Sequence, residues 1–148
     1  MTNEAVVRAY QRALDAGDMP AARMLMSDDF THAPATPGGP PMDADAFLAA
    51  HAQMSASFPD LRRHVTELVT AGDEVRLTAF VTATHDHVVE LPVIGIGPLE
   101  PTGRSYRTTP HQDTFTLRDG LITGVHSTFP PGSGLRGLLD QITTTEHG

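Results

Sequence analysis

His111, Gln112 and Asp113 set an imidazole and a carboxylate two positions apart on Arg104–Leu117, a segment that alternates like a β-strand. Asp113 falls in step with Phe115 and Leu117, so the acid sits on the core-facing side. A buried ionised carboxylate is costly unless it is partnered. One answer is a structural ion pair with Arg104 or Arg107. The other is a cavity wall, where a raised pKa suits the acid to proton transfer. The same parity puts His85 and His126 on the inner faces of two other strands. There an imidazole can polarise a carbonyl or hold Asp113 in its working protonation state. His111 shares the parity of Asp113, although Pro110 interrupts the register. Asp113, His85, His111 and His126 are therefore the catalytic candidates.

A second group has the chemistry to line a substrate site. Tyr10 lies on the apolar stripe of an N-terminal helix, where its hydroxyl can serve as an oxyanion donor or as a satisfied core group. His51 is at helical spacing from Phe47 and Met54, and His32 follows Phe30 on a short strand. Phe30, Phe58 and Phe115 suit an apolar wall for a flat hydrophobic molecule. Eight histidines raise the question of a metal. His85-x-His87 would set two rings on one strand face, with Asp113 and His126 as further ligands. His87, however, opens a Pro/Gly-rich excursion, and no helical His-x-x-x-His is present, so neither metal nor cofactor is expected.

The elements that must position these residues follow from period and punctuation. Residues 3–16 read as an amphipathic helix with Asn3 as N-cap and Gly17 as stop. A short helix follows at 21–26, then a strand at 30–33, then a Pro/Gly loop at 34–42. Asp43 caps a third helix over 44–57. Strands are expected at 62–70 and 75–85, with Val75, Leu77, Ala79, Val81, Ala83 and His85 facing inward. Residues 88–103 form an excursion that suits a lid or an interface loop; Val88, Val89, Leu91, Val93 and Ile94 supply its apolar surface. A long strand at 104–117, bent or bulged at Pro110, precedes a last strand at 121–129. On that strand Ile122, Gly124, His126 and Thr128 share a face. Residues 134–148 are expected to be a short helix and a polar tail.

This order predicts one α+β domain over 1–148. A strongly curved antiparallel or mixed sheet would wrap over three N-terminal helices, forming a cone with an internal pocket. The chain has no cysteine and no lysine, and its net charge is −8. Disulfides and thiolate catalysis are excluded. Without a basic stripe, nucleic acid is not expected as a partner. No run spans a bilayer, so the expectation is a cytoplasmic protein without a membrane partner.

The chain resembles the SnoaL-like polyketide cyclases of the nuclear-transport-factor-2-like α+β superfamily. The resemblance rests on Ala16-Gly17-Asp18, Phe58-Pro59-Asp60-Leu61, Ala71-Gly72-Asp73-Glu74-Val75, Thr84-His85, Pro101-Thr102-Gly103-Arg104, Asp113-x-Phe115 and Asp119-Gly120-Leu121-Ile122. It implies cofactor-free acid/base chemistry in secondary metabolism. An Asp on the penultimate strand, here Asp113, takes a proton alpha to a carbonyl, and the enolate closes a ring. The family also implies a pocket-edge polar residue at His32 and a homodimer that binds a hydrophobic small molecule. Isomerases, dehydratases, epoxide-opening enzymes and non-catalytic binders share the fold, and each stays open as a reading. Two departures touch the pocket. His126 stands where the family commonly has Trp, and the connection before Pro101 is extended over Asp86–Glu100.

Overall fold

A computed structural model describes residues 1–32, 41–91 and 96–147. Helix α1 spans Asn3–Asp15. Its N-cap is Thr2 rather than the expected Asn3, because the Thr2 hydroxyl accepts from the Ala5 N–H at 3.1 Å. At its other end Gly17 takes φ 72°. The Gly17 N–H then donates to the Leu14 carbonyl, and the Asp18 N–H to that of Ala13. This double closure caps the helix and needs a left-handed residue, which glycine supplies without strain. Asp18 in turn caps α2, Met19–Met24. Strand β1, Met26–His32, begins earlier than its sequence suggests because the Ile122 N–H of a neighbouring strand donates to the Leu25 carbonyl. Helix α3 is Ala44–Ser57, capped by Asp43 as expected.

The remaining strands are β2 (Arg62–Ala71), β3 (Glu74–Thr84), β4 (Val89–Leu91), β5 (Ile96–Leu99), β6 (Ser105–Arg107), β7 (His111–Arg118) and β8 (Leu121–Thr128), followed by α4 (Gly134–His147). The main sheet runs β1-β8-β7-β3-β2, and β6 also pairs with β3. All its pairings are antiparallel except β1 with β8. Strands β4 and β5 form a separate antiparallel hairpin within the 88–103 excursion. Val93 and Ile94 of the expected interface lie outside the described residues. The break between β6 and β7 falls at 108–110, as Pro110 implied. There Thr108 bridges the gap: its N–H donates to the Val81 carbonyl, and its hydroxyl accepts from the Val81 N–H.

One face of the sheet carries the core. Val6, Val7, Tyr10 and Leu14 of α1 pack on Val75, Leu77, Ala79, Phe115, Leu117 and Ile122. The alternation read along β3 holds, with Val75, Leu77, Ala79, Val81 and Ala83 all buried. A second cluster, Phe58, Leu61, Val81, Ala83, Val89, Tyr106, Leu138, Leu139 and Ile142, seats α4 at the other end of the sheet. The C-terminal helix continues to His147, where the sequence suggests a short helix and a polar tail. None of the described helices is long and apolar enough to cross a membrane.

Candidate functional site

Asp113 is 7% exposed and faces the core from β7. The Ser127 hydroxyl donates to its Oδ1 at 2.6 Å, and His111 Nε2 lies 3.4 Å from its Oδ2. Neither Arg104 nor Arg107 pairs with it; the Arg107 guanidinium lies 4.0 Å above the Phe80 ring instead. Burial pushes the Asp113 pKa up, but the His111 hydrogen bond and charge, the Arg63 charge and the Ser127 hydrogen bond outweigh it. The carboxyl is therefore held below its ordinary value, contrary to the raised pKa expected for a cavity acid. It is an ionised, partnered carboxylate. His111 is buried beside the Phe129 ring, and its Nδ1 has no hydrogen-bond partner.

Ser127 reaches Asp113 because β8 is bulged. Leu117 pairs with Ile122, but Thr116 pairs with Gly124, so Thr123 is an extra residue. An inserted residue reverses strand parity beyond it. Ile122, Val125 and Ser127 consequently face inward, while His126 is exposed on the opposite face. His126 as a partner of Asp113 is thus corrected: it lines an outer depression of about 290 Å³ with Thr31, His32, Pro41, Thr116, Gly124 and Val125. Its position was read by simple alternation, which a bulge invalidates.

His85 is also separated from the acid. Asp113 pairs with Leu77 on β3, and His85 lies eight residues further along that direction, roughly 26 Å at strand rise. Both of its ring nitrogens are engaged by backbone. The Thr102 N–H donates to Nδ1 at 3.3 Å, leaving Nε2 to donate to the Leu99 carbonyl at 3.3 Å. Its own N–H donates to the Arg104 carbonyl, and its carbonyl accepts from the Gly103 N–H. The Thr-His and Pro-Thr-Gly-Arg motifs therefore close on one another. Thr84 is fixed likewise: its N–H and hydroxyl donate to Asp60 at 2.8 and 2.6 Å. This constellation positions a loop and leaves His85 no free nitrogen for substrate.

Of the candidates on the helices, Tyr10 on α1 lies near enough to Asp113 to feel its charge, and His51 on α3 lies within reach of the Arg63 charge. Tyr10 is 1% exposed, packs edge-on against Phe115 at 5.9 Å, and leaves its hydroxyl without a partner. Burial raises its pKa, partly opposed by Arg63, while Asp113 raises it further, so the phenol stays protonated. His51 is buried with an unpartnered Nε2. Burial and the Arg63 charge lower its pKa to about 4, although a hydrogen bond to the Leu14 backbone opposes this. Phe115 belongs to the same core, and Phe30 packs nearby in it; Phe58 belongs to the second cluster with His85. His32 stacks on Phe47 at 4.7 Å, as Phe30 packs on the same ring at 6.2 Å, and His32 also lines the depression beside His126.

Sequence reading missed Arg63 as well as Ser127. Arg63 pairs with the inward-facing Val81 and so shares its face. Its Nη1 is buried without a hydrogen-bond partner, and its charge acts on Tyr10, Asp15, His51 and Asp113. The parity of β2 held the signal, but the Arg62-Arg63-His64 run reads as solvated surface. A second depression, of about 350 Å³, lies between α3 and β4, lined by Gln53, Ala56, Ser57, Val88 and Glu90. Asp113 lines neither depression. Among the described residues no cluster of three or more His, Asp or Glu is arranged to hold a metal.

A family model described as a SnoaL-like domain matches residues 7–125. AclR from Streptomyces galilaeus, a candidate hydroxylase, is 19% identical with a TM-score of 0.75, and the match covers 96% of each chain. IdmH from Streptomyces antibioticus, a candidate polyketide cyclase, is 23% identical with a TM-score of 0.71, covering 86% of this chain and 91% of IdmH. A candidate polyketide cyclase from Xanthomonas campestris is 25% identical with a TM-score of 0.69, covering 95% of this chain and 96% of its own. No curated protein matches the chain in sequence.

Proposed function

The chain belongs to the SnoaL-like family, and from that premise we propose that it is a cofactor-independent, cyclase-like enzyme with Asp113 as general acid/base. The carrying observation is a buried, ionised carboxylate held between Ser127 and His111 on the core-facing side of β7. An Asp113 oxygen removes a proton from carbon alpha to a carbonyl. The C–H electron pair moves into the new C=C bond, and the carbonyl pair moves onto oxygen, giving an enolate. The enolate carbon attacks a second carbonyl of the same molecule. The resulting alkoxide takes the proton back from Asp113, so no co-reactant is consumed. Ring closure also depends on a site that folds the chain of the substrate.

The names of IdmH and the Xanthomonas protein support a polyketide substrate, and the apolar residues around Asp113 support a hydrophobic one. A homodimer in secondary metabolism belongs to the same reading. Size-exclusion chromatography with light scattering tests the dimer. The reaction is tested by product formation from a panel of linear and tricyclic β-keto esters with chelator present. Wild type should form cyclised product that Asp113→Asn does not. Equal yields from both would reject Asp113.

One observation favours a second reaction on the same residues. The unpartnered Tyr10 hydroxyl lies close enough to Asp113 to feel its charge. Proton removal followed by return at a different carbon would then shift a double bond instead of closing a ring. Product analysis separates the two, since isomerisation leaves the number of rings unchanged.

A further inference from the structure

Among the described residues, six buried polar side-chain atoms lack partners: Arg63 Nη1, the Tyr10 hydroxyl, His51 Nε2, His111 Nδ1, Gln11 Oε1 and Asp15 Oδ1; of these residues, Arg63, Tyr10 and His111 interact with Asp113. Native interiors rarely leave such groups unmet, because each forfeits a hydrogen bond it would make in water. Arg63 and Tyr10 are the informative pair. Arg63 comes from β2 on the face it shares with Val81, and Tyr10 from the stripe of α1 that packs on that face. Among the described residues Arg63 makes no salt bridge. Asp15 on α1 accepts a hydrogen bond from the Arg63 backbone and feels the guanidinium charge, and its Oδ1 is itself buried without a partner. A half-buried guanidinium with a buried, unpartnered Nη1 and a buried phenol therefore stand as unused donors within electrostatic reach of the Asp113 carboxylate.

We propose that Arg63 and Tyr10 form an oxyanion site for a delocalised enolate or phenolate oxygen. The inference rests on the reading of Asp113 as the base and supplies what that reading needs. A carboxylate with a lowered pKa is a weak base, so proton removal from carbon succeeds only if the product anion is strongly stabilised. A guanidinium offers two parallel donors and a full charge, and the phenol adds a neutral donor that stays protonated. His51 cannot share this role as a cation, because it is neutral above pH of about 4. Its Nε2 is an acceptor and suits a hydroxyl elsewhere on the same ligand. The substrate class that follows is an enolisable ketone or hydroxyaromatic ring whose anion is spread over a planar system.

The test is spectroscopic and needs no turnover. 4-Nitrophenol is titrated against wild type, Arg63→Gln, Tyr10→Phe and Asp113→Asn, each confirmed as folded by circular dichroism and thermal melting. The phenolate absorbance band reports the ionisation state of the bound probe. Wild type should bind phenolate at least tenfold more tightly than phenol. Arg63→Gln should abolish that preference, Tyr10→Phe should reduce it severalfold, and Asp113→Asn should keep or strengthen it by removing a nearby negative charge. Wild type without a phenolate preference, or without binding at millimolar probe, would overturn the proposal, as would a preference kept by Arg63→Gln. Should Asp113→Asn instead retain turnover while the phenolate preference holds, the base assignment fails and the oxyanion site stands.

Discussion

Ser127 faces Asp113 across β7 and β8, and its hydroxyl reaches the carboxylate at 2.6 Å only because Thr123 is an extra residue in β8. Without that bulge His126 would occupy the inner position, and Asp113 would meet an imidazole from both strands. The bulge replaces a second titratable group with a neutral donor, which favours the ionised form of the acid without competing for its proton.

Replacing Ser127 by Ala should raise the Asp113 pKa, because a hydrogen bond to the charged form is lost while burial is kept. The proposed mechanism needs Asp113 ionised, so the rate it predicts falls as pH drops through that pKa. The acidic limb of the kcat/KM profile should therefore move to higher pH in Ser127→Ala. Activity at the acidic end should fall roughly tenfold, the value of one hydrogen bond to a charged group. A stopped assay across acidic pH measures it. A profile that does not move would separate Ser127 from the acid's titration.

His85→Ala should act on stability and not on chemistry. His85 is fully buried and joins Leu99 and Thr102 through its ring. Its loss should cost about 2–4 kcal/mol, through unmet backbone groups and a cavity. Chemical denaturation reads this directly. At a temperature where the variant is folded, kcat should stay within about threefold of wild type. A selective loss of kcat would restore His85 to the catalytic set.

His51 makes the fold sensitive to mild acid. Its pKa is about 4 in the folded chain and 6.5 as the ordinary value. Between those pH values the unfolded chain binds a proton that the folded chain does not, so stability rises with pH there and is lost as pH falls. The full loss at the lower end is about 3 kcal/mol. His51→Gln should flatten this dependence between pH 6.5 and 4, measured by urea midpoints at a series of pH values. Asp113, with a lowered carboxyl pKa, adds its own loss only at more acidic pH.

The sheet face was legible in sequence wherever two-residue periodicity ran unbroken. Alternation along β3 and β7 assigned Val75 to Ala83 and His111 to Leu117 to the faces they occupy. It failed at β8, because a bulge leaves no mark in a run such as Leu121-Ile122-Thr123-Gly124. Helix α3 was readable from Asp43, whereas the start of β1 depended on a pairing with β8 that no local signal announces. At the site, Asp113 and Tyr10 stood out as polar groups in apolar patterns. Arg63 and Ser127 did not, because a charge in a basic run and a serine near a strand end look like surface until cross-strand partners are known. His85 was placed on the correct face but given the wrong neighbours, since the loop that engages its ring lies about fifteen residues away in sequence.

Proton abstraction by Asp113 is tested most directly by deuterium exchange at carbon. A β-keto ester is incubated in D2O with wild type or Asp113→Asn, and loss of the alpha-proton signal is followed by NMR above the enzyme-free rate. Wild type should accelerate exchange, and Asp113→Asn should lower that acceleration by about 10²–10⁴ while keeping the fold and ligand binding. Equal acceleration by the two proteins would contradict the assignment of Asp113 as the base.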